Sequence, residues 1–277
     1  MLHSTLPKNC RAVFAALLGV VSAASGSNWC PSSSDNVITC SNCTRTLTCN
    51  YTGKITITGD NVELDGNSYS ILNSPGVGLE INGSADVFNL NVYNSASHGI
   101  EFSNTTTSAS KYGNLNNVTV MDAGNSGIVN SSSNSNRPFE VYLSSTTVMF
   151  SQNYGVLAAH SQSASSASTD IFNSSLHGNG LEGVNSYFGQ GMYQAGNYYS
   201  SNHSGARIIN LSGGYITMNT ASNNSNIGFY LENFYPDATI GVNSNSGYGN
   251  GSSDCYAAGG SNLDFYYNSF VTHTRCN

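Results

Sequence analysis

The sequence predicts an all-β solenoid, and three observations carry that expectation. Two short β-branched runs, Val118 to Val120 and Ile128 to Val129, flank a polar turn from Asp122 to Gly127 that is too short for a helix, so the local unit is strand, corner, strand. The unit recurs on a glycine followed by an apolar or small residue: Gly78-Leu79, Gly99-Ile100, Gly127-Ile128, Gly155-Val156, Gly183-Val184, Gly205-Ala206 and Gly228-Phe229. Those glycines are spaced 21, 28, 28, 28, 22 and 23 residues apart with no helical pattern between them. A turn of that length buries its apolar side chains only by stacking on its neighbours, so the chain reads as one rod.

The composition bounds the rest. The 277 residues include 38 Asn, 45 Ser and 29 Gly, while only 8% are charged. Such polarity suggests disorder, but the regular spacing of β-branched and aromatic residues argues for a packed chain. At the N-terminus, Lys8 and Arg11 precede an apolar run from Ala12 to Val21 and small residues from Ser22 to Ser25. That is the form of a secretory signal peptide over residues 1–25. No later apolar run approaches the ~20 residues that span a bilayer. Neither a membrane span nor a lipid anchor is expected, and the protein is placed outside the cell, secreted or at the cell surface or wall. Losing Lys8 and Arg11 leaves six basic against fifteen acidic residues with no basic stripe, so nucleic acid is not an expected partner.

Cys10 leaves with the signal, and six cysteines remain. An even count in a secreted chain implies disulfides. A rod of about eight turns at ~4.8 Å each is too long for one bridge to join its ends. Cys30, Cys40, Cys43 and Cys49 should therefore pair among themselves, in any of three connectivities, and Cys255 with Cys276. Zinc at Cys40, Cys43 and Cys49 lacks a nearby His, so no metal is expected there. Residues 26–54 should form a Cys-rich N-terminal cap, with the stacked turns over 55–277.

Beyond the cap, Ile55 to Gly59 and Asn61 to Gly66 alternate apolar and polar residues. The strand Val62-Glu63-Leu64-Asp65-Gly66, followed by Ile71-Leu72, resembles the opening turns of right-handed parallel β-helix proteins of the pectin-lyase-like group. The resemblance extends over roughly residues 50–270. It implies a right-handed parallel β-helix of about eight turns with disulfide-bonded ends. That group holds lyases, hydrolases, esterases, epimerases, adhesins and structural proteins, so its members share architecture rather than activity. Asn94, Asn125, Asn153, Asn179, Asn202 and Asn224 lie shortly before the anchor glycines and read as stacked corner residues. The 28-residue spacings owe their length to insertions at Ser103 to Lys111, Asn130 to Pro138 and His160 to Thr169, which should stand side by side along one edge.

Candidate chemistry sits on outward columns. The residues two after each anchor glycine are Glu80, Glu101, Val129, Leu157, Asn185, Arg207 and Tyr230. Glu80 and Glu101 should be neighbours roughly 5 Å apart, with His98 close by and Glu63 and Asp65 on the preceding turn. Paired carboxylates suit acid/base chemistry or calcium, the one cofactor considered, although a solvated polar face accounts for them equally. Eleven of the seventeen tyrosines lie at or after Tyr187. Tyr187, Tyr193, Tyr198, Tyr199 and Tyr230 are candidates for stacking on sugar faces, the alternative being that the rings pack on one another or on partner proteins. Asn-x-Ser/Thr sequons occur at Asn42, Asn50, Asn82, Asn104, Asn117, Asn130, Asn173, Asn202, Asn210, Asn223 and Asn250, and those in loops are candidates for glycosylation.

The resemblance brings catalytic sets with it, and none is matched. Pectate lyases of this architecture use calcium-binding aspartates beside an Arg or Lys, whereas the basic residues Arg45, Lys54, Lys111, Arg137, Arg207 and Arg275 are scattered. The polygalacturonase pattern is approached only by His177-Gly178 and Arg207-Ile208-Ile209, without adjacent aspartates, and the epimerase Asp-Pro-His by Tyr235-Pro236-Asp237. The expected function is a non-catalytic extracellular component, structural, adhesive or glycan-binding, whose partners are polysaccharides or other surface proteins. The alternative is a polysaccharide lyase, hydrolase or epimerase with its acidic residues on the Glu63 to Glu101 face.

Overall fold

The computed structural model describes residues 26–103, 110–132, 139–160, 167–189, 191–235, 238–259 and 262–276. Three parallel sheets form the walls of a rod, and each coil adds one strand to each in turn. The first sheet has eleven strands, from Ser27–Trp29 to Leu263–Tyr266; the second has ten, from Tyr51–Thr52 to Ser269–Phe270; the third has eleven, from Val37–Ile38 to His273–Thr274. No helix occurs among the described residues.

The repeat thus holds three strands where the sequence pattern suggested two. In the stretch read first, Lys111–Asn116 belongs to the first sheet, Thr119–Met121 to the second and Ile128–Ser132 to the third. Only Asn117 and Val118 separate the first two strands, so the corner is too tight to interrupt the apolar pattern. The ladders also extend beyond about eight turns, because the Cys-rich segment contributes Ser27–Trp29, Val37–Ile38, Cys43–Leu47 and Tyr51–Thr52. Its bridges are Cys30–Cys49 and Cys40–Cys43, which settles the open connectivity, and Cys255–Cys276 ties the strand Ser253–Ala257 to the segment that follows the last strand, His273–Thr274.

Strand alternation fills the core with Ile, Leu and Val: Leu64, Val87, Leu115 and Leu143 stack in the first sheet, and Ile71, Val92, Val120 and Val148 in the second. Between these sheets the chain turns on one residue with positive φ, such as Asn117 (54°), Asn173 (48°) or Ser244 (53°). Asn recurs at such positions, at Asn89, Asn117 and Asn173, because its short polar side chain tolerates the left-handed region. The residue after that corner points inward. In that column Leu90 and Val118 are apolar, but Thr146, Ser174, Asn197, Asn219, Asn245 and Asn268 follow. Each backbone N–H from Thr146 to Asn245 donates to the side-chain oxygen one coil on, at 2.9 to 3.1 Å. A second ladder runs from Ser151 through Asn179, Asn202, Asn224 and Asn250 to Asp254. Burial works against the Asp254 charge, but hydrogen bonds from Asn250 and Thr272 outweigh it and hold the carboxyl below its usual range.

Candidate functional site

The strand Phe139–Ser144 turns Phe139, Val141 and Leu143 inward, which leaves Glu140 and Tyr142 on the outer face of the first sheet. Tyr142 pairs in register with Asp170, and Tyr193, one coil further, pairs with Tyr215. Because Ile171 pairs with Gln194, Asp170 and Tyr193 are direct neighbours in that column. Up the rod the same column continues through Asn114 and Asp86 to Glu63.

Alongside runs a second column, Glu140, Ser168 and Gly191, with Gly213 beyond. Its glycines leave the floor without side chains. The result is a groove of about 340 Å³ lined by Glu140, Tyr142, Ser168, Asp170, Tyr193 and the glycines 191, 213 and 214. A Cβ placed on Gly213 would meet nothing within 4 Å, so that space is open, whereas one on Gly214 would stand 2.2 Å from the Met192 carbonyl oxygen. Gly214 is therefore required by close approach, and Gly213 is the position where a side chain would fill the groove.

Asp170 is the perturbed group of this groove. Burial pushes its carboxyl up to about 7; the Tyr193 N–H, donating to Oδ1 at 2.9 Å, pulls the other way, and the Glu140 charge adds to the rise. Burial and then the Asp170 and Glu140 charges likewise raise the Tyr142 hydroxyl. A titratable group shifted by desolvation and a neighbouring charge, in a concave aromatic-lined groove, makes this the candidate site of the fold.

The acidic residues singled out from sequence lie elsewhere and do not form one face. Glu80 and Glu101 do pair in register on the third sheet, and the Lys54 ammonium caps Glu80 at 2.9 Å. Glu63 and Asp65 stand on the first sheet, because the chain passes through Ser70–Leu72 of the second sheet before it reaches Glu80. Asp65 Oδ1 accepts the Asn67 N–H and an Asn89 Nδ2 hydrogen, which makes it a corner residue. His98 Nδ1 accepts the Ser126 N–H at 3.4 Å. The column two after the anchor glycines exists as one continuous register on the third sheet, but Val129 and Asn185 within it are each only 4% exposed. Among the described residues no group of three or more His, Cys, Asp or Glu side chains could hold a metal ion.

The tyrosines divide in the same way. Tyr193 reaches the groove, its ring 5.8 Å from that of Tyr215. Tyr198 faces outward, but Tyr199 is fully buried, so it cannot stack on a sugar; its hydroxyl donates to Gln194 Oε1 at 2.7 Å inside the core. Tyr187 meets Phe188 edge-on, and Tyr230 on the third sheet stacks on Tyr256 beneath the Arg207 guanidinium. Glu140, Tyr142 and Asp170 were not anticipated. The signal for them was present: Asn114, Tyr142 and Asp170 repeat at the same 28-residue step as the anchor glycines. The insertions that set this step lie, for residues 104–109, 133–138 and 161–166, outside the described residues, as do Arg137, Asn104, the signal-like segment and Pro236-Asp237.

No family model matches the chain, and no curated protein sequence matches it at a significant level. Solved structures do. The pectate lyase Pel9A superposes with a TM-score of 0.57 at 12% identity, covering 88% of this chain and 69% of its own. Endopolygalacturonase I from Stereum purpureum, solved with two galacturonates, gives 0.56 at 15% identity, covering 86% and 89%. A mutant of the periplasmic alginate epimerase AlgG gives 0.54 at 13% identity, covering 86% and 73%. At such identities the likeness is one of fold, and with the three parallel ladders it shows the chain to have the right-handed parallel β-helix fold that these structures share.

Proposed function

We propose that the protein is a secreted β-helix component that binds a polysaccharide along the outer groove of the first sheet. The observation that carries this reading is the groove itself: a glycine floor lined by Tyr142 and Tyr193 and by the acidic residues Glu140 and Asp170. The flat apolar faces of sugar rings stack on tyrosine while their hydroxyls hydrogen-bond to carboxyl groups. Support comes from the fold, whose solved neighbours include enzymes with polysaccharide names, and from three disulfides that fit an oxidising compartment. The test is retention of the secreted protein on a panel of immobilised polysaccharides. Tyr142→Ala and Tyr193→Ala should each weaken retention about tenfold. Retention unchanged in both variants would rule out the groove.

A second reading, a glycoside hydrolase, is favoured by one observation, the carboxyl of Asp170 raised to about 7 beside Glu140. Glu140 pairs with Ser168, so it lies one strand over and two residues back from Asp170. From strand spacing and rise their Cα atoms are about 8 Å apart on the same outer face, and an inverting mechanism needs a water between the two carboxyls. Asp170, protonated near neutrality, would give its proton to the glycosidic oxygen as the bond to the anomeric carbon breaks. Glu140 would take a proton from the water that attacks that carbon. Product release abolished in Asp170→Asn with retention intact supports hydrolysis; retention by the wild type with no product leaves a binding protein.

A further inference from the structure

We infer that the groove selects uncharged polysaccharide and rejects polyuronates. This rests on the groove reading above and concerns the class of glycan. The argument is one of charge. Glu140 and Asp170 stand in the groove, and the column that carries Asp170 continues to Asp86 and Glu63. No basic side chain among the described residues faces them. Lys54 is paired with Glu80 on the third sheet, and Lys111 holds both oxygens of Asp60 at 2.6 and 2.7 Å. Arg207 lies over Tyr230 on the third sheet, Arg45 reaches Ser27 on the first coil, and Arg275 sits at the far end of the rod.

A uronate carried into this groove would set its own carboxylate against Glu140 with no cation from the described residues between them. Like charges brought together in a partly desolvated site oppose binding, which is how a site rejects a ligand it could otherwise fit. A neutral sugar meets no such penalty. The Tyr142 and Tyr193 rings need only its apolar face, Glu140 accepts its hydroxyls, and Asp170, when protonated, both donates and accepts. The net charge of −7 adds a general repulsion toward polyanions. Pectate, alginate and galacturonate, named for the solved neighbours, are all uronates, so in this chain shared fold and shared substrate part company.

The test compares the full secreted protein on neutral glycans (xylan, galactan, β-glucan, mannan) with polygalacturonate and alginate, at low and high salt, with EDTA and with calcium. Expected is retention on at least one neutral glycan, insensitive to salt and EDTA, with uronates weaker by on the order of tenfold or more at low salt. In the double variant Glu140→Gln/Asp170→Asn that ratio should shrink; an unchanged ratio would overturn charge as the cause. Uronates bound as tightly as neutral glycans, with EDTA or only with calcium, would overturn the inference while the groove reading stands, provided Tyr142→Ala still weakens them. Retention on nothing, or retention indifferent to Tyr142→Ala and Tyr193→Ala, removes the groove reading and this inference together.

Discussion

The Asp170 carboxylate accepts the backbone N–H of Tyr193 at 2.9 Å, one coil further along the same outward column. That single bond does not offset burial, and the folded carboxyl titrates near 7 against 3.8 for the free group. Between those values the folded state holds a proton that the unfolded chain has lost. Stability contributed by Asp170 is therefore full below pH 3.8 and is lost as pH rises through 7, by ~4 kcal/mol at most. Asp170→Asn keeps the acceptor for Tyr193 and removes the titration. It should melt at higher temperature than wild type at pH 8 and close to it at pH 4. Equal melting temperatures at pH 8 would show that Asp170 is not strained.

His160 has the opposite sign. Its ring is 4% exposed, neither nitrogen has a hydrogen-bond partner among the described residues, and burial lowers its pKa to about 4 from 6.5. Here the unfolded chain binds the extra proton, so stability is full above 6.5 and falls as pH drops through 4, by ~3 kcal/mol. From about pH 4 to 6.5 the two slopes oppose each other, and the wild-type stability curve should be nearly flat. His160→Phe should expose the alkaline decline and Asp170→Asn the acid decline, both visible in urea midpoints read across that window.

Asn219 is the centre of the amide ladder. Its Oδ1 accepts the Asn197 N–H, and its Nδ2 donates to the Gln194 carbonyl and to Asn245 Oδ1. Asn219→Ala leaves buried partners unsatisfied and should cost about 3 to 5 kcal/mol. Asn219→Leu restores volume but not the hydrogen bonds, and should recover less than half of that loss in a denaturant titration.

The Cys255–Cys276 bridge closes a loop of 21 residues around the last coil. Replacing both cysteines by Ala should cost ~3 kcal/mol. Hydrogen exchange should show the loss concentrated in residues 262–276, with the coils before Gly228 unchanged.

Sequon occupancy follows burial. Asn202 is 2% exposed inside the ladder, and Asn130 is 1% exposed with Nδ2 donating to Phe139, Ser168 and Thr169. Neither amide can carry a glycan in the folded chain. Asn42, Asn173 and Asn223 sit at exposed corners with positive φ. Peptide mapping of protein secreted from a glycosylating host should find glycan at the corner sites and none at Asn130 or Asn202.

The repeat was legible because the anchor glycines are required sterically: a Cβ on Gly99 would approach Gly127 O to 2.6 Å, and the same crowding recurs coil after coil. The third strand was not legible, since a corner as short as Asn117 leaves no break in the alternation. Nor was the groove. Glu140 and Asp170 are 30 residues apart and become neighbours only through inter-strand register. In the Tyr198-Tyr199 pair, alternation implies that one ring faces out without saying which, and the hydrogen bond to Gln194 decides for Tyr199.

The corner column that changes from Leu90 and Val118 to Thr146, Ser174 and then four asparagines gives the rod a built-in proofreading sense. Apolar layers tolerate a slip of two residues, which keeps the apolar set facing inward where any such side chain still excludes water. A coil laid down two residues out of step on Asn197, Asn219 or Asn245 instead strands amide groups where no solvent can reach them. Growth of the stack is therefore permissive at its beginning and stringent toward its end, and errors of coil addition are rejected most strongly from the coils of the groove onward.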